Sequence, residues 1–65
     1  MQLQVNGETR AVEAATLAQA LLELGYRGAH VATALNGVFV PAGQRGAQAL
    51  RDGDALEVLA PMQGG

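Results

Sequence analysis

The sequence predicts an α+β domain in which one mixed sheet of four to five strands packs on one main helix. Two Asn-Gly pairs, Asn6-Gly7 and Asn36-Gly37, each lie between short segments containing apolar residues, which is the pattern of β-hairpins. One apolar stretch has helical spacing, and an alternating segment lies near the end of the chain. One sheet covering one helix would satisfy this order of elements in two layers.

The first hairpin is predicted at the beginning of the chain. Leu3 and Val5 alternate with glutamines, the period-2 pattern of a half-buried strand, and Asn6-Gly7 provides the turn. The return strand is expected from Glu8 to Val12, although Ala11 contributes little apolar area.

The main helix is predicted to begin after Thr16. The segment Thr16–Gln19 fits a capping box, in which the threonine hydroxyl accepts an amide hydrogen bond and the glutamine side chain reaches back to the cap. Gly25 stands where a left-handed C-terminal cap is needed. About nine residues are expected in the helix, with Leu22 on its flank and one apolar face formed by Leu17, Ala20, Leu21 and Leu24.

A second hairpin is predicted from Val31–Leu35 to Val38–Val40, with Pro41 ending it. The segment 42–50 is interpreted as a loop, with a turn of helix expected around Ala47–Leu50.

The last strand is predicted over Ala55–Leu59, after a turn at Asp52-Gly53-Asp54. If the first and last strands are adjacent and parallel, this arrangement is a β-grasp. Residues 1–60 then form the domain. Residues 61–65 are expected to be a flexible tail, because Pro61 cannot donate to a sheet and no large side chain anchors the residues after it.

The composition excludes several classes of function. The chain has 65 residues, a net charge of -2, and no Cys, Ser, Lys or Trp, which removes most nucleophiles used in covalent catalysis. Its four cations are scattered arginines, so nucleic acid is not expected as a ligand. No apolar run reaches the length of a membrane span, and no signal peptide is evident. A carrier or binding protein of the cytoplasm is expected, rather than an enzyme.

Other polar and aromatic side chains are interpreted as structural. Asp52 and Asp54 could pair on a metal ion, but no further ligands lie near them and a turn is favoured, so no metal site is predicted. His30 has no relay partner and is expected at the surface or a strand edge. Tyr26 and Phe39, the sole aromatics, are expected to fill the core or its rim, one or both of them.

Several segments together resemble the thiamine-biosynthesis sulfur carrier family, ThiS, whose members have a ubiquitin-like β-grasp fold. The resemblance spans essentially the whole chain. It is carried by the segments Ala34–Pro41, Asp52–Asp54, Leu56–Leu59 and Pro61–Gly65, the last ending in Gly64-Gly65. The chain departs from the pattern at Ala42 and Arg45, where many members have an arginine and an aromatic residue.

The resemblance implies a function for the terminal glycine. A ThiF-like adenylating enzyme would use ATP to convert the Gly65 carboxylate to an acyl-adenylate, and a sulfur donor would then give a thiocarboxylate for a ThiG-like thiazole synthase. No cofactor is expected on the chain itself. Gln63 and Gly64 would thread the partner's active site, and Leu59 and Met62 are candidates for partner docking because strand alternation points Leu59 away from the core.

Three alternatives remain open at this point. Carriers for molybdopterin synthesis, and those for tRNA thiolation or protein modification, share the fold and the Gly-Gly end. A β-grasp interaction module could bind a partner without covalent chemistry. A free-standing enzyme is the third, and the missing nucleophiles oppose it. The glycine pair itself could also arise by chance or be a cloning remnant, since nine residues of the chain are glycine.

Overall fold

The protein is described by a computed structural model that covers residues 1–26 and 30–60. Five strands, one α-helix and one 3-10 helix occur in the described residues. Their bounds in chain order are β1 Gln2–Val5, β2 Glu8–Ala11, α1 Leu17–Glu23, β3 Ala32–Leu35, β4 Val38–Val40, the 3-10 helix Ala42–Ala47 and β5 Ala55–Leu59.

The strands form one mixed sheet in the order β2-β1-β5-β3-β4. Strands β1 and β5 are parallel, and the other neighbours are antiparallel. The first and last strands therefore lie side by side and parallel, as the β-grasp arrangement requires. The predicted fold class is confirmed, with five strands, and β5 occupies the centre of the sheet.

Both predicted Asn-Gly hairpins are confirmed. Asn6 and Gly7 have φ angles of 52° and 83°, and Asn36 and Gly37 have 51° and 83°. Two consecutive left-handed residues define a type I′ turn, whose twist matches that of the flanking strands. Asparagine tolerates this conformation better than other residues with a side chain, which explains why it precedes glycine at both turns.

The ends of the helix largely follow the sequence prediction. The Thr16 hydroxyl accepts a hydrogen bond from the Gln19 amide at 3.3 Å, but the Gln19 side chain accepts from the amide of Ala15, one residue before the cap. At the other end, the amides of Gly25 and Tyr26 donate to Leu22 and Leu21. This pair of bonds is a Schellman motif, and Gly25 supplies its left-handed residue with φ of 96°. The motif ends the helix after seven residues rather than the expected nine.

The core lies between the sheet and α1. The helix contributes Leu17, Ala20 and Leu21 to it, as predicted, while Leu22 on the flank is exposed and Leu24 packs at the margin. Tyr26 also packs against the core as a partly buried side chain. The other buried hydrophobic residues come from the sheet and from segments on either side of α1: Leu3, Val5, Val12, Ala14, Leu35, Val40, Leu50, Leu56 and Val58.

The prediction of a helical turn around Ala47–Leu50 is wrong. The helical segment lies earlier, over Ala42–Ala47, directly after Pro41. Residues 48–50 are not helical because they pair with the chain before α1: the carbonyl of Gln48 accepts from the Leu17 amide, and the amide of Leu50 donates to Ala15. Such long-range pairing overrides the local sequence.

The predicted strand ends differ by one residue at two places. Val12 comes after the end of β2, although its amide still donates to the carbonyl of Met1 at 2.8 Å. Val31 precedes the first residue of β3. Within the described ranges, none of the helices has the length and apolar character needed to cross a membrane.

Candidate functional site

Strand β5 leads to the C-terminal segment and is hydrogen-bonded on both sides. On the β1 side, the carbonyls of Asp54 and Leu56 accept from the amides of Gln4 and Asn6, both at 2.9 Å. On the β3 side, Leu59 is the register partner of Ala32. The strand is therefore held in the centre of the sheet up to the residue before Ala60, where the description of the chain ends.

The side chain of Asn6 contacts the backbone of β5 near its end. Its Oδ1 accepts from the Val58 amide at 2.8 Å, and its Nδ2 donates to the Val58 carbonyl at 3.1 Å. Strand β1 turns away after Val5, so the carboxamide occupies the place that the next backbone group of β1 would have taken. The β1 side of β5 remains hydrogen-bonded through Val58.

An apolar patch lies beside the end of β5 on the face of the sheet opposite the core. Leu59 is 72% exposed and Phe39 is 64% exposed. The register places Ala34 between Phe39 and Glu57, and Ala32 beside Leu59. These five residues, here called the outer-face patch, line a surface groove of about 190 Å³ together with Asn6 and Thr33.

The outer-face patch confirms one expectation about exposure and decides another, namely which of the two aromatics fills the core or its rim. Leu59 points away from the core, as the alternation with buried Leu56 and Val58 predicts. Phe39 does not fill the core or its rim, unlike Tyr26. Sequence reasoning missed Phe39 as a surface residue, although the same alternation in β4 would have found it, because buried Val40 is its direct neighbour.

A second groove, of about 550 Å³, also has Ala32 and Leu59 in its lining and includes Ala60. Its lining includes His30, which is exposed as predicted. It also includes Ala42 and Arg45, the two positions at which the chain departs from the family pattern. Both departures therefore lie beside the end of β5.

Arg45 has a structural role in this second groove, here called the Arg45 groove. Its Nε donates to Oγ1 of Thr33 at 3.0 Å, and its Nη2 donates to the carbonyl of Val31 at 2.5 Å. Thr33 is buried and donates in turn to the carbonyl of Val40 at 2.8 Å. The half-buried guanidinium thus connects the 3-10 helix to β3.

The two aspartates form a turn, as expected. Oδ1 of Asp52 accepts from the Gln2 amide at 2.6 Å. Asp54 accepts from the side chain of Asn36 at 3.0 Å and from the Arg51 amide at 2.8 Å, and these hydrogen bonds lower the pKa of Asp54 below its ordinary value. In the described part of the chain, no cluster of three or more His, Cys, Asp or Glu residues could hold a metal ion.

Four of the site residues suggested by the sequence lie outside the described residues: Met62, Gln63, Gly64 and Gly65. The described part of the site is thus the end of β5, the outer-face patch and the Arg45 groove, which share Ala32 and Leu59.

The chain resembles known proteins in sequence along most of its length. The model of the ThiS family matches residues 3–65. The sulfur carrier protein ThiS of Thermus thermophilus is 44% identical, with 94% of this chain and 95% of that protein covered.

Two solved structures also match. The crystal structure of a thiamine biosynthesis protein, ThiS, from Geobacter metallireducens gives a TM-score of 0.81 at 35% identity, and both chains are completely covered. The solution structure of a thiamine biosynthesis protein from the same organism gives a TM-score of 0.80 at 33% identity, covering this chain completely and 88% of that one. The chain shares the ubiquitin-like β-grasp fold with these structures.

Proposed function

The chain belongs to the ThiS family, and from this we propose that it is a sulfur carrier in thiamine biosynthesis that acts through the carboxylate of Gly65. The observation that carries the proposal is the family match, which runs to Gly65 itself. The fold supports it, because β5 is held in the sheet up to Leu59 and leads directly into the segment that ends in Gly64-Gly65.

The proposed chemistry is performed by partner enzymes on the C-terminal carboxylate. A carboxylate is a poor electrophile, so a ThiF-like enzyme first transfers AMP from ATP to it and releases pyrophosphate. A sulfur donor then displaces AMP and leaves a thiocarboxylate on Gly65. This group stays ionised at neutral pH and delivers its sulfur to a ThiG-like thiazole synthase. The carrier itself contributes the tail and the surface that partners bind.

Glycine at the last two positions suits this role. Without a Cβ, Gly64 and Gly65 can pass through a narrow channel and adopt backbone angles that other residues avoid. Gln63 would lie at the mouth of that channel, since it directly precedes the glycines.

The outer-face patch is the proposed docking surface for these enzymes. It exposes Leu59 and Phe39 next to the point where the chain leaves the sheet. An enzyme that takes the tail into its active site must approach this end of β5, and burial of exposed apolar side chains would stabilise the complex. Glu57 in the middle of the patch favours a partner with a basic residue at the matching position. Met62, three residues after Leu59 in the sequence, is proposed to contact the same enzymes.

Intact-mass spectrometry tests the carrier function. The chain is incubated with a ThiF-like enzyme, ATP and a sulfur donor, and the mass is expected to rise by the replacement of one oxygen by sulfur. A variant lacking Gly65 is the control and should gain nothing. The proposal fails if the complete chain does not gain this mass, or if the shortened chain gains it equally.

A second assay identifies the pathway. The purified thiocarboxylate form is supplied to thiazole synthase with its other substrates, and thiazole formation is expected. Sulfur transfer in molybdopterin synthesis or tRNA thiolation, with none to thiazole, would instead assign the chain to one of those pathways.

A further inference from the structure

Asn6 has two separable roles in the structure. Its left-handed backbone forms the first hairpin turn, a role that glycine could also fill. Its side chain makes both hydrogen bonds to the backbone of Val58, 52 positions away in the sequence. The turn does not require the hydrogen bonds to Val58, so these bonds have a separate effect on the structure.

The contacts with Val58 hold the end of β5 on one side. The parallel ladder with β1 has Val5 and Leu56 as its last register pair, and the Asn6 amide donates to the Leu56 carbonyl at 2.9 Å. After Leu56, the hydrogen bonds to β5 on the β1 side are those between the Asn6 carboxamide and Val58. Without it, the end of β5 would be held on the β3 side alone, where Leu59 and Ala32 form the last register pair.

We propose that Asn6 is a positioning residue for the reaction at the C-terminus, which it serves by fixing the strand end from which the tail extends. This inference rests on the proposed function. In a variant without the Asn6 carboxamide, the last residues of β5 would be less ordered in the free chain. They would then have to become ordered when a partner enzyme binds the tail. Ordering the backbone of one residue weakens binding by roughly five- to thirty-fold.

The effect should appear in KM and not in kcat. The end of β5 must be ordered equally in the bound ground state and in the transition state. Removing the Asn6 side chain therefore weakens binding without changing the chemical step. A variant that is merely less stable, but still folded at the assay temperature, would change neither constant.

Asn36 provides a matched control. It occupies the same position of the same type of turn, with a φ angle of 51° against 52° for Asn6. Its side chain also binds the backbone of β5, accepting from the Ala55 amide at 2.9 Å, but at the strand end far from the tail. Asn6→Gly and Asn36→Gly therefore remove equivalent side chains while keeping each turn.

The first measurement is amide hydrogen exchange in the isolated chain, which needs no partner enzyme. Asn6→Gly is expected to raise the exchange rate of the Val58 amide by about fivefold or more. Asn36→Gly should raise that of Ala55 and leave Val58 unchanged. Asn6→Asp keeps an acceptor for the Val58 amide and should preserve much of its protection, which provides a milder variant if Asn6→Gly folds poorly.

The second measurement is ATP-dependent pyrophosphate release with the adenylating enzyme. KM for the carrier is expected to rise by about fivefold or more in Asn6→Gly, with kcat unchanged, and neither should change in Asn36→Gly. Equal effects of the two variants would overturn the inference. So would a higher KM with normal Val58 protection, because that indicates direct contact between Asn6 and the enzyme. Absence of any reaction with the unmodified chain would instead contradict the proposed function.

Discussion

The side-chain amide of Asn36 donates to Oδ1 of Asp54 at 3.0 Å and so connects the second hairpin turn to the turn before β5. The other oxygen of the same carboxylate accepts from the Arg51 amide at 2.8 Å. Asn36 also accepts from the Ala55 amide, so one asparagine contacts two consecutive residues at the start of the central strand. The charge of Asp54 takes part in this connection and should make it sensitive to pH.

We expect the stability contributed by Asp54 to be lost in acid. Hydrogen bonds from Asn36 and Arg51 lower the pKa of this carboxyl in the folded chain below 3.8. The contribution is therefore fully present above the unfolded pKa and disappears as the pH falls from about 3.8 through the folded pKa. Urea unfolding of the unmodified chain and of Asp54→Asn across this range should show a stability difference that shrinks toward low pH. A difference independent of pH would contradict the assignment.

The elements predicted correctly from the sequence are those encoded by neighbouring residues. The Asn-Gly turns, the Thr16 cap and Gly25 each depend on local backbone geometry, and all three were found in place. The helical turn lies at 42–47 rather than at the predicted 47–50. The backbone groups of Gln48 and Leu50 form hydrogen bonds with residues more than 30 positions earlier, so these two residues are not helical. Contacts of that kind depend on strand order, which local patterns do not encode.

Glycine at position 25 should be required for its backbone angle and not for space. Its φ of 96° is strained for any residue with a side chain, and nothing lies within 4 Å of a Cβ added there. Gly25→Ala should reduce the free energy of unfolding by about 1–2 kcal/mol. Gly46 has equally open space and no positive φ, so Gly46→Ala should be neutral or slightly stabilising. Thermal unfolding of the two variants tests this, and equal losses would argue against the backbone explanation.

Arg45 should stabilise the fold through its two hydrogen bonds to β3 and the residue before it. Arg45→Met keeps much of the aliphatic stem but loses the donors to Thr33 and Val31, and we expect a loss of about 1–2 kcal/mol in the free energy of unfolding. Arg10 is exposed on β2, so Arg10→Met should change stability by less than about 0.5 kcal/mol. Denaturant titration measures both. A negligible loss in Arg45→Met would show that water replaces these bonds.

The candidate site was partly visible in the sequence. Alternation along β5 placed Leu59 on the face opposite the core, and the same pattern would have placed Phe39 there. That the two residues share one patch could not be predicted, because it requires β3 to lie between their strands with a particular register. The Asn6 contact with Val58 was hidden for the same reason.

The outer-face patch can be tested by replacing single apolar side chains. Leu59→Ser and Phe39→Ser each remove an exposed apolar group beside the end of β5, so the fold should lose little stability. If each side chain is buried by the adenylating enzyme, its removal should weaken binding by about 1.5–3 kcal/mol, which raises KM by tenfold or more. Pyrophosphate release at varied carrier concentration measures this change.

Val38 is the matched control for this prediction. It is 66% exposed, about as much as Phe39, and it lies in the same strand. Its register partner is Leu35, a core residue, so Val38 is on the opposite face of the sheet from the patch. Val38→Ser should therefore leave KM unchanged, because a partner seated on the outer face does not reach it. A similar rise in KM for Val38→Ser would mean that loss of general surface hydrophobicity weakens binding, and the docking surface would have to be placed elsewhere.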